Sequence, residues 1–318
     1  MRMLVKTFAT ASSGLVLRPA TIKDVDIFTR RTIKEGWHVG PYNYPCGYDF
    51  DPEGFFMGEV DGELASHFCA VRYPNHHAHC GGAIVTEKFR GKGFHMMSAL
   101  KAIDVYDQNY TIGTDVDVNL RDALARMGGE IHWDTHIATL SLDKVSKVWD
   151  KMALPGSVVV KSISKTNLEK ILEYDHKVFG VARHTFMESW MSVPGSFGWA
   201  AIREKSNDIV GYTIVKQVIR GAGTEIGLAM APLFADDSQI AKVLLKTAAD
   251  NCLANEAVPK TKLEIFHPVG DNCGEDAPQL MEEMGAELSR IAHRMYTKGV
   301  PPRRQLKKIY GIASTAFD

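Results

Sequence analysis

Residues 83–95 read Ala83-Ile84-Val85-Thr86-Glu87-Lys88-Phe89-Arg90-Gly91-Lys92-Gly93-Phe94-His95, a strand followed by a glycine-containing loop that opens directly into an amphipathic helix. Glycine lets the backbone approach a ligand closely. The free N–H groups of a first helical turn and the helix dipole both favour a negative charge. Lys88, Arg90 and Lys92 add positive charge. The segment is typical of a diphosphate-binding loop, although a plain helix start with solvated basic side chains would look the same.

An internal repeat extends this observation to the whole chain. The segment from Val16 to Phe28 recurs at constant spacing as the segment from Val159 to Ile171. Each copy has a short β-branched strand, a hydroxyl residue with Asp or Asn three positions later, and apolar residues at helical spacing. Strand and turn signals then follow in the same order in both copies. We predict two α/β halves, residues 1–150 and 157–318, joined around Ala153-Leu154-Pro155-Gly156.

Composition narrows the class of protein. With 318 residues and 45% hydrophobic residues, the chain is long enough for two domains. The 37 basic residues nearly balance the 38 acidic ones, so we expect neither nucleic acid nor a membrane as partner. Five scattered cysteines without CxxC spacing favour a reducing compartment, the cytoplasm. Residues 1–23 resemble a mitochondrial presequence in composition, but a strand beginning at Leu15 leaves only a short stub for cleavage.

The run Lys88-Phe89-Arg90-Gly91-Lys92-Gly93 resembles the signature of the GNAT acyltransferase superfamily, which is Gln or Arg, two residues, Gly, one residue, then Gly or Ala. The resemblance implies two tandem GNAT-like domains, each a central, mostly antiparallel sheet flanked by helices. It also implies acetyl-CoA as co-substrate and no metal. The residues implied to bind the cofactor are Ala83, Ile84, Val85, Lys88, Phe89, Arg90, Gly91, Lys92, Gly93, Phe94, His95 and Asn119.

The second half resembles the C-terminal domain of YitH-like tandem GNAT proteins. The resemblance rests on Ala231–Asp237, Met284–Glu287, Arg294–Tyr296 and Ile309–Gly311. Here the loop between strand and helix contains Asp236 and Asp237, with no glycine and no basic residue. Two carboxylates repel a phosphate and instead suit the N-terminus of their own helix. We therefore expect only the first half to hold the cofactor, and the second to close the substrate pocket.

Catalysis of the implied kind is direct attack of an amine on the thioester where the fourth and fifth strands separate. It requires a base and backbone N–H groups, expected from Ala83 to Val85, for the carbonyl oxygen. Many relatives place Glu on the fourth strand, whereas this chain has His77 and His79 there. Imidazole, with an unperturbed pKa near ~6.5, accepts a proton at neutral pH. We predict His79, or else His77, as catalytic base; the alternative is a polar strand entrance.

Two observations restrain this prediction. Relatives often protonate the leaving thiolate with a Tyr, and the matching position here is Leu124, so the usual acid is absent. The residues His77, His79, Cys80, His132 and His136 also have metal-binding chemistry, but their spacing matches no common zinc module and His79 and Cys80 point to opposite faces of a strand.

The acceptor is expected to meet the segment Trp37 to Asp51, a loop rich in aromatic residues, Pro and Gly. Tyr42, Tyr44 and Tyr48 can stack on an apolar or cationic group, and Asp49 or Asp51 can pair with an amine. The alternative is that these side chains simply cover the sheet. The function that the sequence favours is acetyl transfer to a small-molecule amine, with a non-catalytic acyl-CoA-binding protein or a protein-lysine acetyltransferase as alternatives.

Overall fold

The structure is a computed structural model that describes residues 14–103, 109–126, 128–148, 156–259, 262–298 and 304–318. In the first half the elements are β1 Leu15–Pro19, α1 Val25–Lys34, α2 Asn43–Phe50, β2 Phe55–Val60, β3 Glu63–Tyr73, β4 His77–Val85, α3 Phe94–Ile103, β5 Thr111–Val116, α4 Val118–Ala125, β6 Glu130–Ser141 and α5 Leu142–Val148. In the second half they are β7 Val158–Ser162, α6 Leu168–Phe179, α7 His184–Ser192, β8 Phe197–Arg203, β9 Asp208–Arg220, β10 Glu225–Ala235, α8 Ser238–Ala254, β11 Lys262–Val269, α9 Asp276–Glu283, β12 Glu287–Tyr296 and β13 Ile309–Gly311.

All of these strands belong to one mixed sheet in the order β1-β2-β3-β4-β5-β12-β6-β11-β10-β9-β8-β7, with β13 beside β10. The pairs β4–β5 and β10–β11 are parallel, and the other neighbouring strands are antiparallel. The same order of elements appears twice, which confirms the predicted mostly antiparallel α/β fold in tandem. The division at residues 150 and 157 stays a prediction, and residues 149–155 lie outside the described ranges.

The two halves exchange their last strands. β5 of the first half pairs with β12 of the second, and β11 of the second half pairs with β6 of the first. β6 and β12 pair with each other at the centre, from Glu130 opposite Tyr296 to Thr139 opposite Glu287. The backbone hydrogen bonds at the middle of the sheet therefore join one half to the other.

A shared hydrophobic core lies on one face of this sheet. Phe28 and Phe55 of the first half belong to the same cluster as Phe179, Phe186 and Trp190 of the second. All five side chains are fully buried. Burying one such side chain stabilises the folded state by about 1.5–3 kcal/mol. The core, like the central strands, therefore couples the halves.

The prediction that the segment from Trp37 to Asp51 is a loop was wrong in one respect, because the segment contains helix α2. Pro45 is tolerated because it lies in the first turn, where the backbone N–H has no intrahelical acceptor. Gly47 is needed because an added Cβ would lie 2.4 Å from the Phe317 ring. The pairing of α2 with the far end of the chain could not be read from local sequence.

Candidate functional site

The opening between β4 and β5 organises the site. The two strands pair only between His77–Cys80 and Thr111–Thr114, and β4 departs from β5 beyond Gly81. Gly82 has φ +57°, and a Cβ there would lie 2.6 Å from the hydroxyl oxygen of Tyr44. Only glycine meets both conditions without strain. The strand therefore bends away beside Tyr44 and leaves a gap next to β5.

A cavity of about 430 Å³ extends from this gap, and both halves form its wall. Near β4 and β5, its lining residues come from the first half and include His95, Met96, Val116, Leu120 and Leu124. Those from the second half include Trp190, Lys216, Val218, Ala229 and Ala231. Residues 313–316 also line it, and Ala316 lies so close to Gly81 that a Cβ there would be 2.5 Å from the Ala316 Cα.

The glycine loop at residues 86–94 presents backbone donors. Gly91 and Gly93 both have φ +76°, and a Cβ at either would meet no atom within 4 Å. Within the described ranges, no carbonyl accepts a hydrogen bond from the amides of residues 91–96. Phe89 and Phe94 are buried at either end of the loop and hold it against β1 and β3. The left-handed glycines thus expose free N–H groups at the start of α3, as an anion site requires.

The basic side chains of this loop contribute less than the sequence suggested. Lys88 forms an ion pair with Glu63, and Arg90 pairs with Glu35. Both pairs are half exposed, so they do little for stability. Lys92 makes no ion pair with any residue that the structure describes, and its Nζ lies 5.4 Å from the centre of the Phe89 ring. The amides, the helix dipole and Lys92 are therefore the groups available to an anion.

The equivalent place in the second half is occupied. Asp237 caps α8, because its carboxylate accepts a hydrogen bond from the Ile240 amide at 2.9 Å. Asp236 pairs with Lys308 at 2.9 Å. β13 then fills the space where β10 and β11 would separate: it pairs with β10 at Leu233 and Phe234, and the Ile312 amide donates to the Phe266 carbonyl on β11 at 2.8 Å. This half has acids at the loop and a strand in the groove.

The predicted bases His77 and His79 are both buried in the protein interior. His79 is fully buried, and one ring nitrogen, Nε2, lies 3.0 Å from the Thr315 carbonyl oxygen. His77 Nδ1 lies 3.1 Å from the Thr111 carbonyl oxygen. Burial lowers the pKa of His77 to about 3 and that of His79 well below the usual range. Neither side chain is among those that line the cavity, whereas the next residue, Cys80, does.

The predicted acceptor residues divide in the same way. Tyr44 lines the cavity, is buried, and accepts a hydrogen bond from Thr32 at 3.0 Å. Tyr42, which precedes α2, and Asp49 on α2 are exposed, and Tyr48 donates to the Ala20 carbonyl at 3.3 Å. Asp51 holds the Arg72 guanidinium and amide. Of these residues, the structure brings Tyr44 alone to the cavity wall.

Asn119 and the missing acid can also be located. Asn119 is exposed on α4, while its neighbour Leu120 faces the cavity. Leu124, at the position where relatives often have Tyr, is a cavity residue. Tyr296 of β12 lines the same cavity and is buried. Tyr296 belongs to the second half of the chain, so a search for the acid among the residues of the first half does not find it.

Two polar groups of the cavity were missed by sequence reasoning. Lys216 is 4% exposed, its Nζ lies 3.1 Å above the centre of the Trp190 ring, and no described residue accepts a hydrogen bond from it. Burial lowers the pKa of Lys216 to about 7. His38 lines the cavity, and its Nδ1 lies 2.5 Å from Oε1 of the buried Glu264. Both contacts, Lys216 with Trp190 and His38 with Glu264, join residues far apart in sequence, so the local sequence pattern does not predict them.

The described residues include no group of three or more His, Cys, Asp or Glu side chains placed to hold a metal ion. His77 and His136 belong to different surroundings, since His77 stacks on Tyr73 and His136 lies beside His267. None of the helices in the described ranges has the length and hydrophobicity needed to span a membrane.

Comparison with known families and proteins gives consistent results. Residues 24–125 match the family model described as "Acetyltransferase (GNAT) family", and residues 171–311 match "Acetyltransferase (GNAT) domain". The chain is 23% identical over 304 residues to holothin acyltransferase from Pseudoalteromonas sp. (strain SANK 73390), covering 93% of this chain and 92% of that protein.

Solved structures share the whole fold. A putative acetyltransferase from Pyrococcus horikoshii superposes with a TM-score of 0.73 at 19% identity, covering 97% of both chains. A tandem GNAT protein from the clavulanic acid biosynthesis pathway has a TM-score of 0.63 at 13% identity, covering 90% of this chain and 99% of the other. At these identities the likeness concerns the fold.

Proposed function

Because this chain belongs to the GNAT superfamily of acyltransferases and carries two GNAT domains in tandem, we propose that it transfers an acetyl group from acetyl-CoA to the amine of a small molecule. The observation that carries the proposal is the continuity of the site in the first half. A loop with free amides leads into a gap between β4 and β5, and that gap opens into a cavity of about 430 Å³. Five cysteines without disulfide partners suit the cytoplasm as the place of reaction.

The donor would lie along the first half. Its diphosphate would be held by the amides of residues 91–96, with Gly91 and Gly93 allowing close approach and Lys92 adding charge. The remaining loop residues, Lys88, Phe89, Arg90 and Phe94, would shape this loop, and His95 would face the pantetheine arm from α3. The amides of Ala83 to Val85 would face the thioester, where a backbone N–H stabilises the developing oxyanion.

The acceptor would be a small molecule because the cavity is closed by the second half. Trp190, Ala229 and Ala231 stand where a single domain would be open to a larger partner. Tyr44 and Tyr296 add aromatic walls. The curated relative is named for acyl transfer to holothin, which supports an acceptor outside the protein-lysine class.

Attack on the thioester also needs a proton acceptor and a donor for the thiolate. His79 and His77 remain predictions for the base, although each would have to reach the acceptor from beneath the cavity wall. Asn119, Tyr42, Tyr48 and Asp49 would require movement to contact a ligand in the cavity. Tyr296 is a better candidate for the acid than any side chain of α4, because it lines the cavity and carries a hydroxyl group.

A second candidate function is acyl-CoA binding without transfer. Leu124 favours it, because the position at which relatives often carry the acid is apolar here. The two functions differ in whether an amine causes release of free CoA.

The test is a CoA-release assay with acetyl-CoA and a panel of small amines. Wild-type protein should release thiol with at least one amine, and Gly93→Glu should lose acetyl-CoA affinity by about 100-fold or more because a carboxylate then faces the diphosphate. Gly285→Glu is the matched control, since Gly285 also has positive φ, +61°, but lies at a remote turn. Unchanged affinity in Gly93→Glu would remove the loop from the site. Binding without thiol release from any amine would favour the second function.

A further inference from the structure

Helix α1 and helix α2 are connected by a segment that is tied to the second half. Val39 forms an isolated antiparallel bridge with Ile219 of β9, and the Ile219 amide donates to the Val39 carbonyl at 2.9 Å. This bridge fixes the preceding residue, His38, at the rim of the cavity. Its imidazole is 28% exposed, so it is accessible to a molecule inside.

Behind His38 lies Glu264 of β11, whose side chain is 1% exposed. In the sheet, Glu264 stands opposite Ala229 of β10, and Ala229 lines the cavity. Directly opposed residues project from the same face of a sheet, so Glu264 is on the cavity face. The small side chain of Ala229 leaves room for His38 to reach the carboxylate.

The contact between these two residues orients the imidazole. Nδ1 of His38 lies 2.5 Å from Oε1 of Glu264, and Nε of Arg220 lies 3.0 Å from the same oxygen. The contacts have the closeness of ion pairs but not the angles of hydrogen bonds. With Nδ1 facing the carboxylate, the proton of a neutral ring belongs on Nδ1, which leaves the lone pair on Nε2.

Nε2 of His38 makes no hydrogen bond with any described residue. We propose that His38 is the general base of the acyl transfer and that Glu264, contributed by the other half, is its positioning residue. The proposal rests on the acetyltransferase function argued above. It differs from the earlier prediction of His79, whose accessible surface is 0% and whose Nε2 faces a carbonyl oxygen.

The acceptor nitrogen attacks the thioester carbon and forms the C–N bond, while its proton passes to Nε2 of His38. The C–S bond then breaks, and the CoA thiolate takes a proton from a donor such as Tyr296 or water. The imidazolium returns its proton to solvent, so the products are the amide and CoA. Glu264 stabilises the imidazolium that exists between these events.

Two variants test the proposal with the full chain, acetyl-CoA and whichever amine the panel identifies. His38→Gln should lower kcat/KM by about 100-fold while acetyl-CoA affinity stays unchanged. The control is His184→Gln, an exposed residue at the start of α7, which should behave as wild type. Imidazole in the buffer should restore part of the rate of His38→Ala. Full activity of His38→Gln, or equal loss in the control, would overturn the proposal.

Glu264→Gln separates positioning from structure. Removing the carboxylate takes away the group that orients the ring and stabilises the imidazolium, so kcat should fall by about 10-fold while the affinity for acetyl-CoA and the KM for the amine stay unchanged. The other charged groups that line the cavity or pair at this site, namely Asp115, Asp117, Lys216, Arg220 and Arg290, are not altered in this variant. An unchanged kcat would contradict the role of Glu264. If this variant does not fold, Glu264→Asp, which keeps the charge but draws the carboxylate back from Nδ1, should show the same loss in kcat.

The failure of the proposed function gives a different pattern. Wild-type protein that acetylates no amine contradicts that function, but slow hydrolysis of acetyl-CoA, with water as nucleophile, still needs a base. Loss of this hydrolysis in His38→Gln would support the base, and equal hydrolysis in both proteins would refute it.

Discussion

The gap between β4 and β5 and the corresponding place between β10 and β11 have the same backbone plan but opposite contents. The first is bordered by glycines and free amides and leads into a cavity. The second is bordered by Asp236 and Asp237 and contains β13. The difference teaches that a duplicated fold can keep its architecture while one copy fills its groove with the chain itself. That chain then continues into the first half as residues 313–317.

The strongest way to break this comparison is to loosen the segment that fills the second groove. Asp318 anchors it, because its carboxylate pairs with the buried Arg183 and accepts the amides of Ala313 and Ser314. Asp318→Asn leaves Arg183 with Asp175 as its acidic partner, so we expect the free energy of unfolding to fall by about 3 kcal/mol. Denaturant unfolding measures this, with the exposed Asp49→Asn as control. A loss equal to that of the control would show that the segment is held by other contacts.

A second prediction concerns Lys216, the buried amine that the second half contributes to the cavity. Burial lowers the pKa of Lys216 to about 7, so between about pH 7 and its ordinary value of 10.5 the unfolded chain binds more protons than the folded one. The free energy of unfolding should therefore rise with pH across this window, and the full cost of burying the charge should be present below it. Lys216→Met should stabilise the protein at pH 6 by on the order of 2 kcal/mol and flatten the rise.

Thermal unfolding at pH 6 and pH 9.5 checks this, with Lys205→Met, at an exposed turn, as the matched control. If the stability of Lys216→Met depends on pH in the same way as that of wild type, the charged amine is not destabilising where it lies over the Trp190 ring.

The smallest effect concerns the acids of the filled groove. Asp237→Ala removes the N-cap of α8 and should cost about 1 kcal/mol of unfolding free energy. Acetyl-CoA binding should keep its affinity and a stoichiometry of one per chain, because β13 still occupies the groove. Calorimetric titration decides this. A second bound acetyl-CoA in the variant would mean that charge alone, and not the strand, excludes it.

Sequence reasoning reached the fold because its signals are local. The glycines before α3 and the repeated pattern of strand, cap and helix predict the order of elements, and the matching family models confirm two GNAT domains. The capping of α8 by Asp237 was also readable, since it depends on residues three positions apart.

The acceptor side could not be predicted in this way. His38 acquires Glu264, Tyr73 donates to Phe317, and Gly81 faces Ala316, all across long stretches of chain. The prediction that Tyr42, Tyr48 and Asp49 contact the acceptor followed from composition, and composition does not tell which face of α2 points inward. A histidine motif on β4 was similarly visible in sequence, but the burial of His79 beside Thr315 and of His77 between Tyr73 and Tyr296 was not.

The exchange of β6 and β12 limits how the two halves can be separated or recombined. Each half borrows a central strand from the other, so neither is a module that could be recombined with a foreign domain or lost by truncation. A substitution in a central strand of one half therefore changes the strand that completes the sheet of the other. The half whose groove is filled by β13 thus remains necessary, since the half with the open gap cannot complete its sheet without it.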